Sequence, residues 1–385
     1  MKIAFICGSL EPGHCGVGDY ARCLAQECQR QGHTCALIAL KDHYLVKQGK
    51  SLVVQKQAGI PTARFEDAFS SSSNFYKLQD FLANLDPDWV SLQFVPYSFN
   101  PKGLIPTLAS KLLKIKGSAR LHMMFHEVWI GAYREAPIKE KLMGLLQKYF
   151  IKSFLRNCTP KCVHTHTAAY QTLLKSPLVI PKNLPLFSNI QPAHGADLKS
   201  LSQKLEPHNI ELTEENRNDY WFFGILGTLY PIWEAYPLLS YIDLASQKAG
   251  KKPIILSLGN LGPGERLWER TLQQAPKNMR FARLGWTPED TLAPLINCLD
   301  FGIATTPWGL IEKSAAIRPL LESGLPVIVS RDDVHFNTAT PLEVLQNPQL
   351  VKMTPDLPNI LPHLQKQPPH WTLPEVASQF IRDLG

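Results

Sequence analysis

Lys313 and Ser314 precede an apolar helical stretch, and Glu322 lies near its end, just before Gly324 and the apolar run Leu325–Val329. The spacing predicts a loop, a helix capped by Ser314, and a buried strand. Unpaired amides at a helix start, with a lysine beside them, suit a phosphate group. Glu322 opposes the helix dipole in the last turn. A carboxylate there can accept hydrogen bonds from a ribose diol; the alternative is a solvated glutamate on the helix surface. A second constellation is His126-Glu127, directly after the apolar run Ala119–Phe125. A histidine at the carboxyl end of a parallel strand stands where open sheets bind ligands, and it can donate to a sugar hydroxyl or to developing charge. The alternative is a histidine packed under a loop.

Two glycine motifs follow apolar runs. Gly16-x-Gly18-x-x-Ala21 opens a helix after the run Lys2–Cys7, and Gly227-Thr228 follows Tyr220–Leu226. The first matches a dinucleotide fingerprint, with Asp42 as the acidic partner. That fingerprint needs its glycines immediately after the strand, and eight residues, Gly8 to Cys15, intervene. Asp86-Pro-Asp88 reads as a turn rather than a metal pair. Cys158-x3-Cys162-x-His164-x-His166 matches no standard zinc spacing.

These motifs resemble those of the family 4 glycosyltransferases, retaining enzymes of the GT-B fold. The resemblance covers most of the chain and is densest at residues 1–40, 119–131 and 300–333. It implies an α/β chain of two doubly wound Rossmann-like domains facing each other across a cleft, with a C-terminal helix crossing back. It further implies transfer of a sugar from a nucleotide diphosphate sugar to an acceptor hydroxyl, such as a glycolipid or polysaccharide precursor. By resemblance, His126 contacts the donor sugar with Glu127 as its neighbour, so these are the catalytic candidates. Glu322 holds the ribose, and Lys313, Ser314, Gly227 and Thr228 approach the diphosphate. Gly16 and Gly18 face the diphosphate or acceptor, and Trp286 cradles the base. Two family features are absent: the first glutamate of the Glu-x7-Glu motif is replaced by Ser314, and no arginine or lysine occurs in Leu229–Ala235. These absences leave open a sugar-nucleotide-binding protein without catalysis, and the fold leaves open a sugar-nucleotide epimerase. No metal or cofactor is expected beyond the nucleotide-sugar substrate.

Positioning these groups takes two strand–helix series. The expected division is an acceptor-side domain at 1–190, a polar linker at 191–219, a nucleotide-sugar domain at 220–370 and a crossover helix at 371–385. Charge is uneven: residues 1–190 hold 23 basic against 12 acidic residues, net +11, and the remainder 17 against 21, net −4. The basic half suggests an anionic or lipid-linked acceptor, or a membrane surface. No aromatic-basic pattern points to nucleic acid. The helix expected at 137–157 carries Lys148, Lys152 and Arg156 as a cationic stripe. Leu142, Leu145, Leu146, Tyr149 and Phe150 cover its other side, as in a helix packed on a core. No apolar run reaches the roughly 20 residues that span a bilayer. The eight scattered cysteines fit free thiols in a reducing compartment. The expectation is a cytoplasmic protein, with the inner face of the membrane as the peripheral site its basic half raises.

Overall fold

The computed structural model describes residues 1–193, 195–337, 347–369 and 371–385. The chain divides into two compact units. One holds residues 1–185, a short stretch from His335, and the C-terminal residues 373–385; the other holds the chain from Leu186 to Val334 and the described residues between 347 and 372. The expected boundary at 370 lies outside the described residues.

The first unit is built on an eight-stranded sheet. Its strands are β1 (Lys2–Cys7), β2 (Thr34–Ala39), β3 (Leu52–Gln57), β4 (Ile60–Phe65), β5 (Trp89–Phe94), β6 (Arg120–Phe125), β7 (Cys162–Thr165) and β8 (Lys182–Asn183). They lie in the order β3-β4-β2-β1-β5-β6-β7-β8. All neighbours are parallel except the edge hairpin of β3 and β4. The hairpin turns at Ala58 and Gly59, both with positive φ. Ile3, Ala4, Phe5 and Ile6 of β1 are fully buried, as a strand covered on both faces requires. The helix Leu373–Leu384 belongs to this unit. Its Phe380 is fully buried, with its ring 5.7 Å from Phe5 and 5.1 Å from His122. Gln31 donates to the Pro374 carbonyl and accepts from Ser378, which ties the helix to the first helix of the chain.

The second unit carries β9 (Tyr220–Leu226), β10 (Lys252–Leu258), β11 (Arg280–Gly285), β12 (Phe301–Ala304), β13 (Val327–Val329) and β14 (Leu350–Lys352). All six are parallel, in the order β11-β10-β9-β12-β13-β14. This is the doubly wound order, with its switch point between β9 and β12. Strand alternation separates two cores. Phe222, Ile254, Leu256 and Val327 enter one, and Phe223, Ile255, Ile303 and Ile328 enter the other. Residues 191–219, read from sequence as a linker, supply Leu201, Leu205, Ile210 and Leu212 to the first of these cores.

The helix Ile138–Cys158 departs from its expected packing. It buries Gly144, Gln147, Ile151, Phe154, Leu155 and Cys158. Gly144 sets the contact, since a Cβ there would come within 2.0 Å of the Ile130 carbonyl oxygen. Gln147 fixes the same face by accepting from the Ile130 amide and donating to Tyr97 and to the Lys102 carbonyl. Leu142, Leu145, Leu146 and Tyr149 therefore face outward and are more than half exposed.

Truncating Phe380→Ala should cost the first unit about 3–5 kcal/mol, as for a buried aromatic removed from a packed core. The urea midpoint of that unit's transition reads it. A loss below about 1 kcal/mol, the level of ordinary substitutions, would show that the C-terminal helix is not part of this core.

Candidate functional site

In the second unit Gly227 and Thr228 follow the carboxyl end of β9, and Lys313 and Ser314 lie on the segment after β12. Gly227 ends β9 with φ 74°, and Gly259 and Gly285 end β10 and β11 with φ 92° and 68°. Their amides chain across the rim: Gly227 N–H donates to the Leu258 carbonyl, and Gly259 N–H to the Gly285 carbonyl. A Cβ on Gly259 would lie 3.5 Å from the Gly227 Cα. The rim is bare backbone at the switch point, where a phosphate can approach closely. Gly259 and Gly285 were visible in sequence only as strand ends. Trp286 follows Gly285 directly and is 70 % exposed.

The loop after β12 lies against this rim. Thr305 donates to the Thr228 carbonyl at 3.4 Å, and the Thr306 hydroxyl is 2.9 Å from the Ser314 hydroxyl. Ala316 is the group nearest to a Cβ placed on Gly227. Ser314 does not cap a helix that runs to Glu322. It stands between two 3-10 turns, Trp308–Lys313 and Ala315–Ile317, with no side-chain cap bond, and the α-helix is only Arg318–Glu322. Pro319 is the reason: it carries no N–H and is tolerated only in the first turn, so the helix begins there. Lys313 is half-buried at the end of the first 3-10 turn.

Glu322 is buried, which removes the reading of a solvated surface glutamate. Its Oε1 accepts from the Ser188 amide at 2.6 Å, and Arg318 approaches the same oxygen at 3.7 Å. Burial presses the Arg318 guanidinium below its ordinary pKa, and Glu322 opposes that. A buried glutamate close to an arginine and held by an amide is a fixed acceptor.

In the first unit Gly16 and Gly18 open the helix Gly16–Arg30. Their roles separate. A Cβ on Gly18 would come within 2.5 Å of the Ser9 carbonyl oxygen, whereas one on Gly16 would meet nothing within 4 Å. Gly18 is thus required by packing of the helix start on the loop after β1, and Gly16 leaves that start open. Asp42, the acidic partner in the dinucleotide reading, is fully buried. It accepts from the Ser9 hydroxyl at 2.8 Å, the Leu10 amide at 3.1 Å and Arg64 at 2.7 Å, and Arg64 also bonds Glu11. These contacts assign Asp42 to holding the loop rather than to a ribose.

His126 lies at the carboxyl end of β6 and is buried. Its Nε2 is 3.0 Å from Gln93 Oε1, its Nδ1 is 3.0 Å from His166 Nε2, and Tyr20 meets its ring edge-on at 4.8 Å. The sequence marks His166 as part of a cysteine–histidine run without a standard zinc spacing and does not single out Gln93. Strand alternation was the signal that could have found both. Glu127 is half-buried on the loop beyond. Of the cysteine–histidine run, Cys162 and His164 come together with His122. Burial pushes the Cys162 thiol up to about 11, so it is a neutral thiol, 3.8 Å from His164 Nδ1. His122 Nε2 bonds His164 Nδ1 at 2.9 Å. A pocket of about 230 Å3 in the same unit is lined by Lys41, Asp67, Phe99, Asn100 and Lys111.

Several solved structures share this architecture. The HepE protein of Anabaena in complex with UDP is 15% identical with a TM-score of 0.57, covering 100% of this chain and 99% of its own. The catalytic domain of starch synthase IV from Arabidopsis thaliana, bound to ADP and acarbose, is 14% identical with a TM-score of 0.53, covering 100% and 98%. A UDP-GlcNAc 2-epimerase from Methanocaldococcus jannaschii is 12% identical with a TM-score of 0.50, covering 100% and 99%. No family model matches the chain, and no curated protein does. At these identities the likeness establishes the fold: the chain has the GT-B fold of two Rossmann-like domains.

Asp42 predicts part of the acid limb of stability. Burial would raise its pKa, but the bonds from Arg64, Leu10 and Ser9 outweigh burial and hold it below the ordinary value. Its stabilisation is therefore complete above the unfolded value of about 3.9 and is lost as pH falls through the lowered folded value. Asp42→Asn should flatten that limb below pH 4 and cost about 3–5 kcal/mol at pH 7 by breaking a buried ion pair and leaving Arg64 with Glu11. Unchanged urea curves from pH 3 to 7 would refute this.

Proposed function

We propose that this chain is a glycosyltransferase that moves a sugar from a nucleotide diphosphate sugar to an acceptor hydroxyl with retention of configuration. The observation that carries it is the second unit's rim: a glycine-lined strand edge at the switch point, a half-buried lysine on the neighbouring loop and a buried Glu322. The rim suits the diphosphate with Lys313, Ser314, Gly227 and Thr228, Glu322 suits the ribose, and exposed Trp286 suits the base. In the first unit His126 is the sugar-side residue, with Glu127 beside it and Gly16 at an open helix start. The HepE structures with UDP and with UDP-glucose favour a uridine nucleotide donor. Catalysis then rests on positioning and on stabilising charge on the departing diphosphate. The likeness to an epimerase favours a second reading, conversion of the nucleotide sugar with no acceptor.

The acceptor is proposed to be anionic or lipid-linked. Lys41 and Lys111 line the pocket of the first unit. Ile138, Leu142, Leu145 and Tyr149, at 77, 61, 62 and 67 % exposure, form an apolar stripe at i, i+4, i+7 and i+11 on one helix. Exposed Lys141, Lys152 and Arg156 lie on the same helix. An apolar stripe with cations on one helix is the pattern of a helix that lies in a membrane interface. Among the described residues no helix is long and apolar enough to cross a membrane.

Thermal-shift titration with UDP, GDP, ADP and dTDP tests the donor. A nucleotide at 100 times its Kd should add about 2.7 kcal/mol of stability, and Glu322→Gln and Lys313→Ala should each weaken that gain. Absence of a shift with all four nucleotides would sink the transferase and epimerase readings together. Where a nucleotide binds, incubation of its sugar conjugate without acceptor separates the two. For the membrane face, co-sedimentation with anionic vesicles at low salt should fall at least tenfold in Leu142→Ser/Leu145→Ser. Equal sedimentation of wild type and variant, or none by the wild type, would remove the membrane contact.

A further inference from the structure

Three side chains of the metal-ligating types meet inside the first unit's sheet. His122 of β6 stands directly across from Cys162 of β7, and His164 follows Cys162 by two residues. Strand alternation therefore puts all three on one face of the sheet. The C-terminal helix covers that face, with the Phe380 ring 5.1 Å from His122 and 6.3 Å from His164. All three residues are buried, and one ligand atom from each lies within 4.8 Å of the others. His122 Nε2 is 2.9 Å from His164 Nδ1, and Cys162 Sγ is 3.8 Å from the same nitrogen.

The far nitrogen of each ring is held from outside this cluster. Asp383 Oδ2 lies 3.0 Å from His164 Nε2, and Lys182 fixes the other oxygen of that carboxylate at 2.6 Å. A carboxylate only accepts, so His164 carries its proton on Nε2 and turns a bare Nδ1 toward His122 and Cys162. On the other side the Ser91 hydroxyl is 2.8 Å from His122 Nδ1 and 2.8 Å from Gln93 Nε2. Metal-ligating histidines have this arrangement, the inner nitrogen toward the ion and the outer one on a carboxylate, a carbonyl or another polar group that sets the tautomer.

We propose that His122 Nε2, His164 Nδ1 and Cys162 Sγ form a buried metal site that ties β6 to β7, with Asp383 and Ser91 as the positioning residues behind the two rings. One thiolate and two imidazoles select a borderline or soft ion, zinc(II) or copper(I), and disfavour magnesium and calcium, which prefer oxygen. Two nitrogens at bonding distance from one zinc stand roughly 3.3–3.6 Å apart. The rings therefore part by about half an ångström on loading. Protons balance: Cys162 releases its thiol proton to solvent as the sulfur binds, His164 keeps its proton toward Asp383, and His122 holds its single proton on Nδ1, where Ser91 accepts it.

The run Cys158–His166 matches no standard zinc spacing because one ligand comes from a different strand, about forty residues earlier in the chain. Asp383 extends the linkage to the C-terminal helix, so the ion also fastens the element that closes this core. The site lies wholly in the first unit and does not depend on the transferase reading.

Metal binding by the full chain tests this, with wild type, Cys162→Ala and Asp383→Asn stripped by a chelator and then given zinc(II), cobalt(II) or copper(I). Wild type should retain one equivalent of zinc or copper(I) through gel filtration, and its melting temperature should rise with the ion. Cys162→Ala should lose both effects. Cobalt in wild type should give a thiolate-to-cobalt charge-transfer band in the near ultraviolet that is absent from Cys162→Ala. Asp383→Asn should weaken binding by about 10- to 100-fold, as for the loss of a carboxylate behind a ligating histidine. If Cys162→Ala does not fold, His164→Gln replaces it, since its amide can still bond Asp383. The tighter of zinc and copper(I) identifies the ion. Retention by wild type no greater than by Cys162→Ala, or cobalt bound without the thiolate band, would overturn the site. Nucleotide binding is measured separately, so failure of the donor titration leaves this site standing, and failure here leaves the transferase reading standing.

Discussion

A parallel sheet covered on both faces has no side left for polar chemistry. The strand interiors of the second unit are apolar on each face, as the alternation of Phe222 and Phe223 between two cores shows. Backbone groups are spent in the ladders, so polar function collects at the carboxyl ends, where the connections part at the switch point. The Gly227, Gly259 and Gly285 rim, the loop at Thr305–Ser314 and the loop after β1 all occupy such ends. Each is held by contacts that also preserve the fold. Asp42 pins the loop after β1, and the Thr305 and Thr306 hydroxyls fix the loop after β12.

The first sheet breaks this rule along one line, with polar groups from Ser91 to His166 inside an otherwise apolar layer. A buried polar group without a partner is costly, so such a row is tolerated only when every member is bonded. That demand couples residues on three strands and the C-terminal helix. It also explains why Phe380 packs on His122 and His164 as well as on Phe5: the helix that closes the core supplies the Asp383 end of the row.

Close backbone approach decides the remaining surface. Gly144 and Gln147 lock the helix Ile138–Cys158 onto the loop that follows His126. This turns a leucine-rich face away from the core and leaves it beside exposed cations. The same contact that shapes the His126 loop therefore creates the apolar stripe.

The two strand–helix series, their parallel character and the carboxyl-end placement of His126, Gly227 and Ser314 were legible in the sequence, because apolar runs and glycine punctuation are local signals. The outward face of Leu142 and Leu145 was not, since helical periodicity marks a stripe without saying which stripe meets a neighbour. Nor was the burial of Glu322, which depends on the Ser188 amide far away in the chain. Pro319 was visible, but its effect on Ser314 depended on how the turns before it closed. The histidine row belongs wholly to the tertiary structure. Its members lie on separate strands and a terminal helix, and only the parallel register brings one ring nitrogen to the next.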